Sequence, residues 1–540
     1  MNDWNDSYAS RRQRHASLCL ARMLCVYALA FAAAAYACVG RDGAVPVWGG
    51  SGPNGIMDGK ITRAWKDARA KGLSVPPTPP IFGIHPTVII LIENAAGGAP
   101  FAYPNAALWA QRLQDISTYY GEVSHGQFRL EAAAETFGAA NDGVIGPVTV
   151  SGLNFSTDIQ IGQSLPLVVA AIQAANPYID FAAYDTNLDG TLEADELHIL
   201  VYQAGDESSY GSSQTPRAWS HMQWQTPILS GLAPGADSDG VHITSYCYAG
   251  SEFNHTMMAS MGQMTHELGH DLGLPDLYDV DGAGSGGDWE GLGEHSLMAL
   301  GSWGAAGGVF GASPVHMDGF CKSWLGWANE TVVTVPGNRL ATLNTANGGN
   351  EVLRINVPAS PEYFLIENRQ HTGFDAGLPG TRGGLVIYHC DGLILTDENV
   401  RLNNHVNNSP NDAGIRLIEA DGDDALRTLA NRGVDTDYYR RGNNVTLNAL
   451  SNPSSDLKLG IASGLSITNV GPSQAAMTFV IGALSEDVNH SGGVDAVDVQ
   501  LVINAALGLD IGGVNADLNL ELSVDAVDVQ LVINSALAGA

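Results

Sequence analysis

The chain has 540 residues, more than one ordinary core serves, so roughly two to four domains are expected. Acidic residues outnumber basic ones 57 to 25, for a formal net charge of -32, which argues against nucleic acid or an anionic membrane as main partner and suits a chain that binds hard cations. Apolar residues at 45% are enough to fold and too few for a multi-span membrane protein.

The first 40 residues stand apart. Arg11, Arg12, Arg14 and Arg22 precede the short Ala-rich run MLCVYALAFAAAAYAC, which ends on small residues at Ala35-Tyr36-Ala37. Residues 1–40 therefore read as a secretory signal peptide. SRRQR (10–14) could be a twin-arginine signal, although no apolar residue follows it, and Cys38 is a candidate for lipidation. Residues 41–84 are rich in Gly and Pro, end in SVPPTPPIFG, and read as a linker or short pro-segment. Of six cysteines, Cys19 and Cys25 leave with the signal. Cys247, Cys321 and Cys390 allow at most one disulfide, so this is no disulfide scaffold.

From residue 85 to 328 strand and helix patterns alternate, which predicts an α/β domain. PTVIILIEN (86–94) is a buried-strand run, and ALWAQRLQDISTYYGEV has helical spacing with Leu108, Leu113, Ile116 and Tyr119 or Tyr120 on one side. HGQFRLEAAAETF reads as strand, LPLVVAAIQAAN as helix and LHILVYQAG as an apolar strand. Between the last two lies DTNLDGTLEADE, Asp185 to Glu196. It fits a twelve-residue calcium loop: Asp185, Asn187 and Asp189 at positions one, three and five, Gly190 at the sharp turn, the Thr191 carbonyl at seven and Glu196 closing at twelve. The bland alternative is an Asx-rich turn.

MTHELGHDLGLPDLYD (264–279) follows. His266 and His270 project from one face of a helix, where two neutral imidazoles can hold one zinc ion. Glu267 sits beside them as a candidate general base. Gly273 can leave the helix with positive φ and let Asp276 swing back as a third ligand. Asp271 and Asp279 are rivals for that place. The spacing is that of the metzincin arrangement with Asp in place of the usual His. Met298, in GEHSLMALGSWG, suits the methionine turn beneath such a metal. From about Ala328 short strand runs separated by turns, from TVVTVPG to AMTFVIG, predict an all-β domain over 329–482.

The last 55 residues, 486–540, repeat themselves. DVNHSGGVDAVDVQLVINAAL begins at Asp487 and DLNLELSVDAVDVQLVINSAL at Asp517. The first supplies Asp487, Asn489, Ser491, Gly493 and Asp498 at calcium-ligand spacing. The second supplies Asp517, Asn519, Glu521, Ser523 and Asp528, but has Leu522 where the first has Gly492. Each loop leads into an amphipathic helix. The small apolar pairs Ala496-Val497 and Ala526-Val527 could make two equivalent partner surfaces or pack within the module.

Eight separate motifs, in order, carry a resemblance: STYYGEVSHGQF (117–128), FAAYDTNLDGTLEADELHILVYQAG (181–205), AWSH (218–221), HELGHDLGLPDLYD (266–279), HSLMALGSW (295–303), CKSWLGW (321–327), EYFLIENRQ (362–370) and GGLVIYH (383–389). The chain resembles the immune inhibitor A-type secreted bacterial metallopeptidases over about residues 85–480. That resemblance implies a zinc endopeptidase with His266 and His270 as ligands and Glu267 as catalytic acid/base. Tyr278 and His221 could contact substrate. The C-terminal repeat resembles a dockerin, which implies calcium binding and a cohesin-domain partner. A different reading is a calcium-dependent binding or assembly protein on a protease scaffold; the intact His266-Glu267-His270 set favours the enzyme.

Overall fold

A strand that is apolar on both faces has to be covered on both faces, and PTVIILIEN is built into such a place. The computed structural model describes residues 35–37, 80–94, 100–151, 158–160, 163–212, 214–224, 237–334, 339–482, 486–489, 494–512, 516–518 and 523–538. In chain order its first long elements are β1 (Gly83–Asn94), α1 (Ala106–Val123), β2 (Phe128–Ala132), β3 (Val144–Val150), α2 (Leu165–Ala175), β4 (His198–Glu207), β5 (His221–Trp224), β6 (Ser245–Phe253) and α3 (Gly262–Asp271). The strands form one sheet in the order β5-β6-β4-β1-β2, with β3 also on β1. The β1 pairings with β2, β3 and β4, and the β4–β6 pairing, are parallel; β5 runs antiparallel to β6. Ile89 and Leu91 enter one core with α1 and α3, while Val88, Ile90 and Ile92 enter a second core under α2. The predicted α/β alternation is what the sheet shows.

Several expectations shift in detail. Ile81 is buried and β1 already begins at Gly83, within the stretch read as linker. The rest of residues 41–79 and the leader lie outside the described residues, except Ala35–Ala37, which pairs antiparallel with His221–Gln223 at the sheet edge. The buried stripe of α1 is Trp109, Leu113, Ile116 and Tyr120, with Tyr119 also inside, whereas Leu108 is 44% exposed. The stripe starts one residue later than expected because Trp109 packs against Phe101 and Tyr202. Both tyrosines are polar-tipped core residues with a partner for each hydroxyl. Tyr119 donates to the Val315 carbonyl at 2.8 Å and Tyr120 to the Thr265 carbonyl, inside α3, at 2.7 Å. Cys247, Cys321 and Cys390, the cysteines among the described residues, are buried and free.

After α4 (Gly319–Leu325) come β7 (Asn329–Thr334), β8 (Arg339–Asn344), β9 (Glu351–Asn356), β10 (Glu362–Arg369), β11 (Gly384–Asp391), β12 (Ile415–Leu417), β13 (Ile467–Thr468) and β14 (Ala476–Ile481). They make a five-stranded sheet, β7-β9-β10-β11-β12, and a three-stranded sheet, β8-β14-β13. Among the described residues the region is strand-dominated but also carries short α-helices at Ala346–Gly349, Gly392–Thr396, Glu398–Leu402 and Ala425–Thr428. Period-2 alternation splits the larger sheet. Leu353, Ile355, Phe364, Ile366 and Ile387 face the smaller sheet. Val352, Leu365, Val386 and Tyr388 face the core that also holds α1 and α3. The strand region therefore packs directly on the elements that position the histidine helix.

At the C-terminus α5 (Ala496–Ala506) and α6 (Ala526–Ala538) pack together through Val502 and Val532, the same position in each repeat. No described helix is long and apolar enough to cross a membrane.

Candidate metal centre

All ten residues of α3 are buried, including Gln263, Thr265, His266, Glu267, His270 and Asp271. Polar side chains persist in such a place only with partners, and those partners define the site. His266 donates from Nδ1 to the Leu297 carbonyl at 2.7 Å, and His270 from Nδ1 to the Leu274 carbonyl at 2.8 Å. A carbonyl can only accept, so each ring in its neutral form carries its proton on Nδ1 and presents a lone pair at Nε2. The two Nε2 atoms lie 3.1 Å apart.

Asp276 completes the group. Gly273, at φ 93°, ends the helix in the left-handed region, and the chain turns back. Asp276 Oδ1 then lies 3.1 Å from His266 Nε2 and 3.2 Å from His270 Nε2, is buried, and makes no hydrogen bond. Asn404, from the strand region, donates to Asp276 Oδ2 and accepts from the Asp276 backbone N–H at 2.6 Å. Burial would raise the Asp276 pKa, but the two imidazoles outweigh it and bring it down to about 2. Burial lowers that of His270.

In those tautomers three acceptor atoms converge at 3.1–3.2 Å. A tetrahedral zinc ion with ligands at about 2.0–2.1 Å has edges of about 3.3 Å. The triangle has about the dimensions of one face of such a tetrahedron. A ligand atom of Glu267 lies within 4.8 Å of those of both histidines.

The rivals for the third place are turned elsewhere. Asp271 Oδ2 lies 2.6 Å from Nδ1 of His198, whose Nε2 is 3.2 Å from His85 Nδ1. Asp279 accepts from the Asp281 N–H at 2.9 Å, and burial pushes its pKa up to about 8. Met298 lies beneath the helix. A Cβ on Gly269 would come within 2.6 Å of its sulfur, so the absence of a side chain there allows the close packing. The Met298 carbonyl also accepts from the Leu277 N–H at 2.8 Å. His221 is buried away from this group, donating to the Trp219 carbonyl at 2.7 Å and meeting Ser164 Oγ at 2.6 Å; burial takes its pKa down to about 4. Tyr278 is a buried core residue. Neither Asn404 nor His198 was singled out from the sequence, because each lies far from the motif in the chain and nothing local marks it.

The loop from Asp185 to Glu196 folds around its own carboxylates. Asp185 accepts from the Asp189 and Gly190 N–H groups at 3.2 and 3.0 Å, and Asn187 accepts from Asp189 at 2.9 Å. Asp189 accepts from the Thr191 N–H at 2.8 Å, and Glu196 folds back to the Thr186 N–H at 2.7 Å. Gly190 has φ 85°, as position six requires. No helix follows. Thr191–Leu192 instead pairs with His242–Ile243. Glu193, unremarked in the sequence, meets Thr191 Oγ1 at 2.5 Å, and burial pushes its pKa up to about 7.

In the C-terminal repeat each half closes on its helix aspartate, with Asp495 and Asp525 as equivalent donors and Asn489 and Leu518 one position apart in register. Asp498 accepts from the Asn489 and Asp495 N–H groups at 3.0 and 2.9 Å; Asp528 accepts from those of Leu518 and Asp525 at 2.6 and 2.8 Å. Asp487, Asp517 and Ser523 are among the described residues. Ser491, Gly493, Asn519 and Glu521 lie outside them. Val497 and Val527 are 54% and 50% exposed.

Comparison with known proteins falls on the same two regions. The family described as immune inhibitor A peptidase M6, catalytic domain, matches residues 104–328, and the dockerin type I domain matches residues 485–537. Immune inhibitor A of Bacillus thuringiensis subsp. alesti is 28% identical over 302 residues, covering 48% of this chain and 40% of that protein. Pre-pro-metalloprotease PrtV of Vibrio cholerae serotype O1 is 28% identical over 236 residues, covering 36% of this chain and 24% of that protein. The matched regions span less than half the length of these curated relatives.

Proposed function

Because the chain carries a peptidase M6 (immune inhibitor A) catalytic domain and a dockerin type I domain, we propose that it is a secreted zinc endopeptidase tethered through its C-terminal module. The observation that carries this reading is the buried triangle of His266 Nε2, His270 Nε2 and Asp276 Oδ1, with Glu267 beside it. Zinc held there supplies a Lewis acid that polarises a scissile carbonyl and makes water easier to deprotonate. The chain's own groups do the rest. The Leu297 and Leu274 carbonyls fix the imidazole tautomers, and Asn404 fixes the carboxylate. Glu267 takes the proton from the attacking water and delivers it to the leaving amine, a role worth about 10²–10⁴-fold in rate.

Calcium is the cofactor proposed for Asp185, Asn187, Asp189, Thr191 and Glu196, and for the two C-terminal loops. A cohesin domain is the proposed partner of the dockerin module, with Val497 and Val527 as equivalent exposed contacts. The leader at residues 1–40 is the proposed export signal. A casein-type assay on the secreted protein tests the enzyme reading: hydrolysis should stop with a chelator and return with stoichiometric zinc. Hydrolysis indifferent to the chelator, or none from a zinc-loaded sample, would overturn it.

A further inference from the structure

The strand region carries a cleft that the metal centre does not use. It has a volume of about 400 Å³, and His371, Thr372, Arg382, Arg440, Arg441 and Ser473 are among the residues that line it. Three arginines meet there in a chain with only 25 lysines and arginines and a net charge of -32. Backbone pairing brings them together from distant parts of the chain. His371 follows β10 and Arg382 precedes β11. The Tyr439 N–H donates to the Leu385 carbonyl at 2.9 Å, which places Arg440 and Arg441 next to β11. The Arg441 N–H donates to the Gly471 carbonyl at 2.8 Å, and Ser473 Oγ donates to Gln370 Oε1 at 2.9 Å.

The charges in the cleft do not balance. Arg440 is buried and pairs with Asp435, and its Nη1 donates to the Arg382 carbonyl at 3.3 Å. Asp435 also accepts from the Thr381 and Arg382 N–H groups at 2.7 and 3.0 Å, so its charge is already engaged. Among the described residues, neither Arg382 nor Arg441 has a carboxylate within ion-pairing distance. His371 supplies a second, independent sign of a ligand. Its Nε2 is buried and makes no hydrogen bond. Burial lowers its pKa against the pull of Asp375 and Asp435, so the ring is uncharged at neutral pH. An orphaned ring nitrogen costs free energy unless something entering the cleft satisfies it.

We propose that this cleft binds an acidic segment of a polypeptide: Arg382 and Arg441 take its carboxylates, and its main chain meets His371 Nε2. A guanidinium fork matches a carboxylate with two parallel N–H bonds. A peptide group beside that carboxylate offers both an N–H and a C=O, so it satisfies Nε2 in either neutral tautomer, whereas a bare carboxylate offers only acceptors. The charge of the whole chain does not forbid such a ligand. At physiological ionic strength charges beyond about 8 Å are largely screened, and the arginines dominate locally. No residue of the metal centre lines the cleft, so binding there does not depend on the peptidase reading.

The test is fluorescence anisotropy with a dye-labelled peptide rich in Asp and Glu, on full-length, zinc-loaded Glu267→Gln. Mass analysis of the same sample shows separately whether the peptide stays intact. The acidic peptide should bind at least about tenfold more tightly than its Asn/Gln counterpart of the same length. Arg382→Ala and Arg441→Ala, added to that background, should each weaken binding by about tenfold or more, as loss of a charged hydrogen-bond partner does. Both arginines are exposed and lack an ion-pair partner, so either variant should melt at the parent temperature. Equal affinity for the two peptides, no binding, or arginine variants that bind like the parent would overturn the proposal. So would displacement by inorganic phosphate or by an oligouronate at lower concentration than by the unlabelled peptide, which would make the ligand a free oxyanion or an acidic polysaccharide.

Discussion

Asp276 is held from two directions: the imidazoles draw its Oδ1, and Asn404 takes its Oδ2 and its backbone N–H. Removing it leaves two nitrogen donors, too few for a structural or catalytic zinc site. Asp276→Ala should therefore lower zinc content in the purified protein by at least about tenfold. Asp279→Ala, whose carboxyl is engaged with Asp281, should leave zinc near the wild-type level when both are measured by metal analysis. A zinc content that follows Asp279 and not Asp276 would mean that the ten-residue spacing from His266 misassigns the ligand. At this scale the grouping of His266, His270 and Asp276 was legible because the three sit within eleven residues of chain, and a glycine marks the turn. Asn404 was not readable, because its role exists only once the strand region folds back against the helix.

The helix α3 is only as good as the floor it rests on. Gly269 lies against Met298, and an added methyl would come within 2.6 Å of the sulfur. Gly269→Ala should cost about 1–3 kcal/mol of stability through overpacking. Combining it with Met298→Ala should recover part of that loss in a thermal double-mutant cycle, since the clash is between those two side chains. Additive effects would show that the helix and the turn do not touch in solution. The paired helices α5 and α6 rest on a different support. Their core is small, centred on Val502 and Val532, and Asp498 and Asp528 are the buried carboxylates that the proposed calcium ions would neutralise. A 486–540 fragment should therefore gain helical circular dichroism as calcium is added. An unchanged signal in chelator would sever the fold from the metal. Periodicity located both elements, yet it misjudged the start of the α1 stripe. Spacing alone cannot tell Leu108 from Trp109; the neighbours Phe101 and Tyr202 decide.

At the scale of the molecule, the change of pattern near Ala328 does not mark a break in the core. Val352, Leu365, Val386 and Tyr388 share one apolar cluster with Leu268 and Met298. Lys322 pairs with Glu367, and Arg369 binds Asp375 at 2.6 Å and the His295 carbonyl at 3.2 Å, all of these side chains buried. Alternation in the strand runs announced a sheet with two sides. It did not say that one side would face the histidine helix, because a period-2 pattern records burial and not the partner. The consequence is that the strand region reaches the proposed metal centre, where Asn404 holds Asp276. Asn404→Ala should weaken zinc affinity by about 10–100-fold, as loss of a hydrogen bond that orients a ligand generally does, in a competition titration against a chelating dye. Affinity unchanged would place the strand region outside the chemistry.

The central claim, that this chain hydrolyses peptide bonds with a carboxylate beside a bound zinc, is tested most directly on Glu267→Gln in the full-length protein. Zinc content and casein hydrolysis should be measured on the same preparation. The account predicts wild-type zinc with hydrolysis lowered by about 10²–10⁴-fold, because the amide cannot take a proton. Full zinc with hydrolysis near the wild-type rate would contradict it.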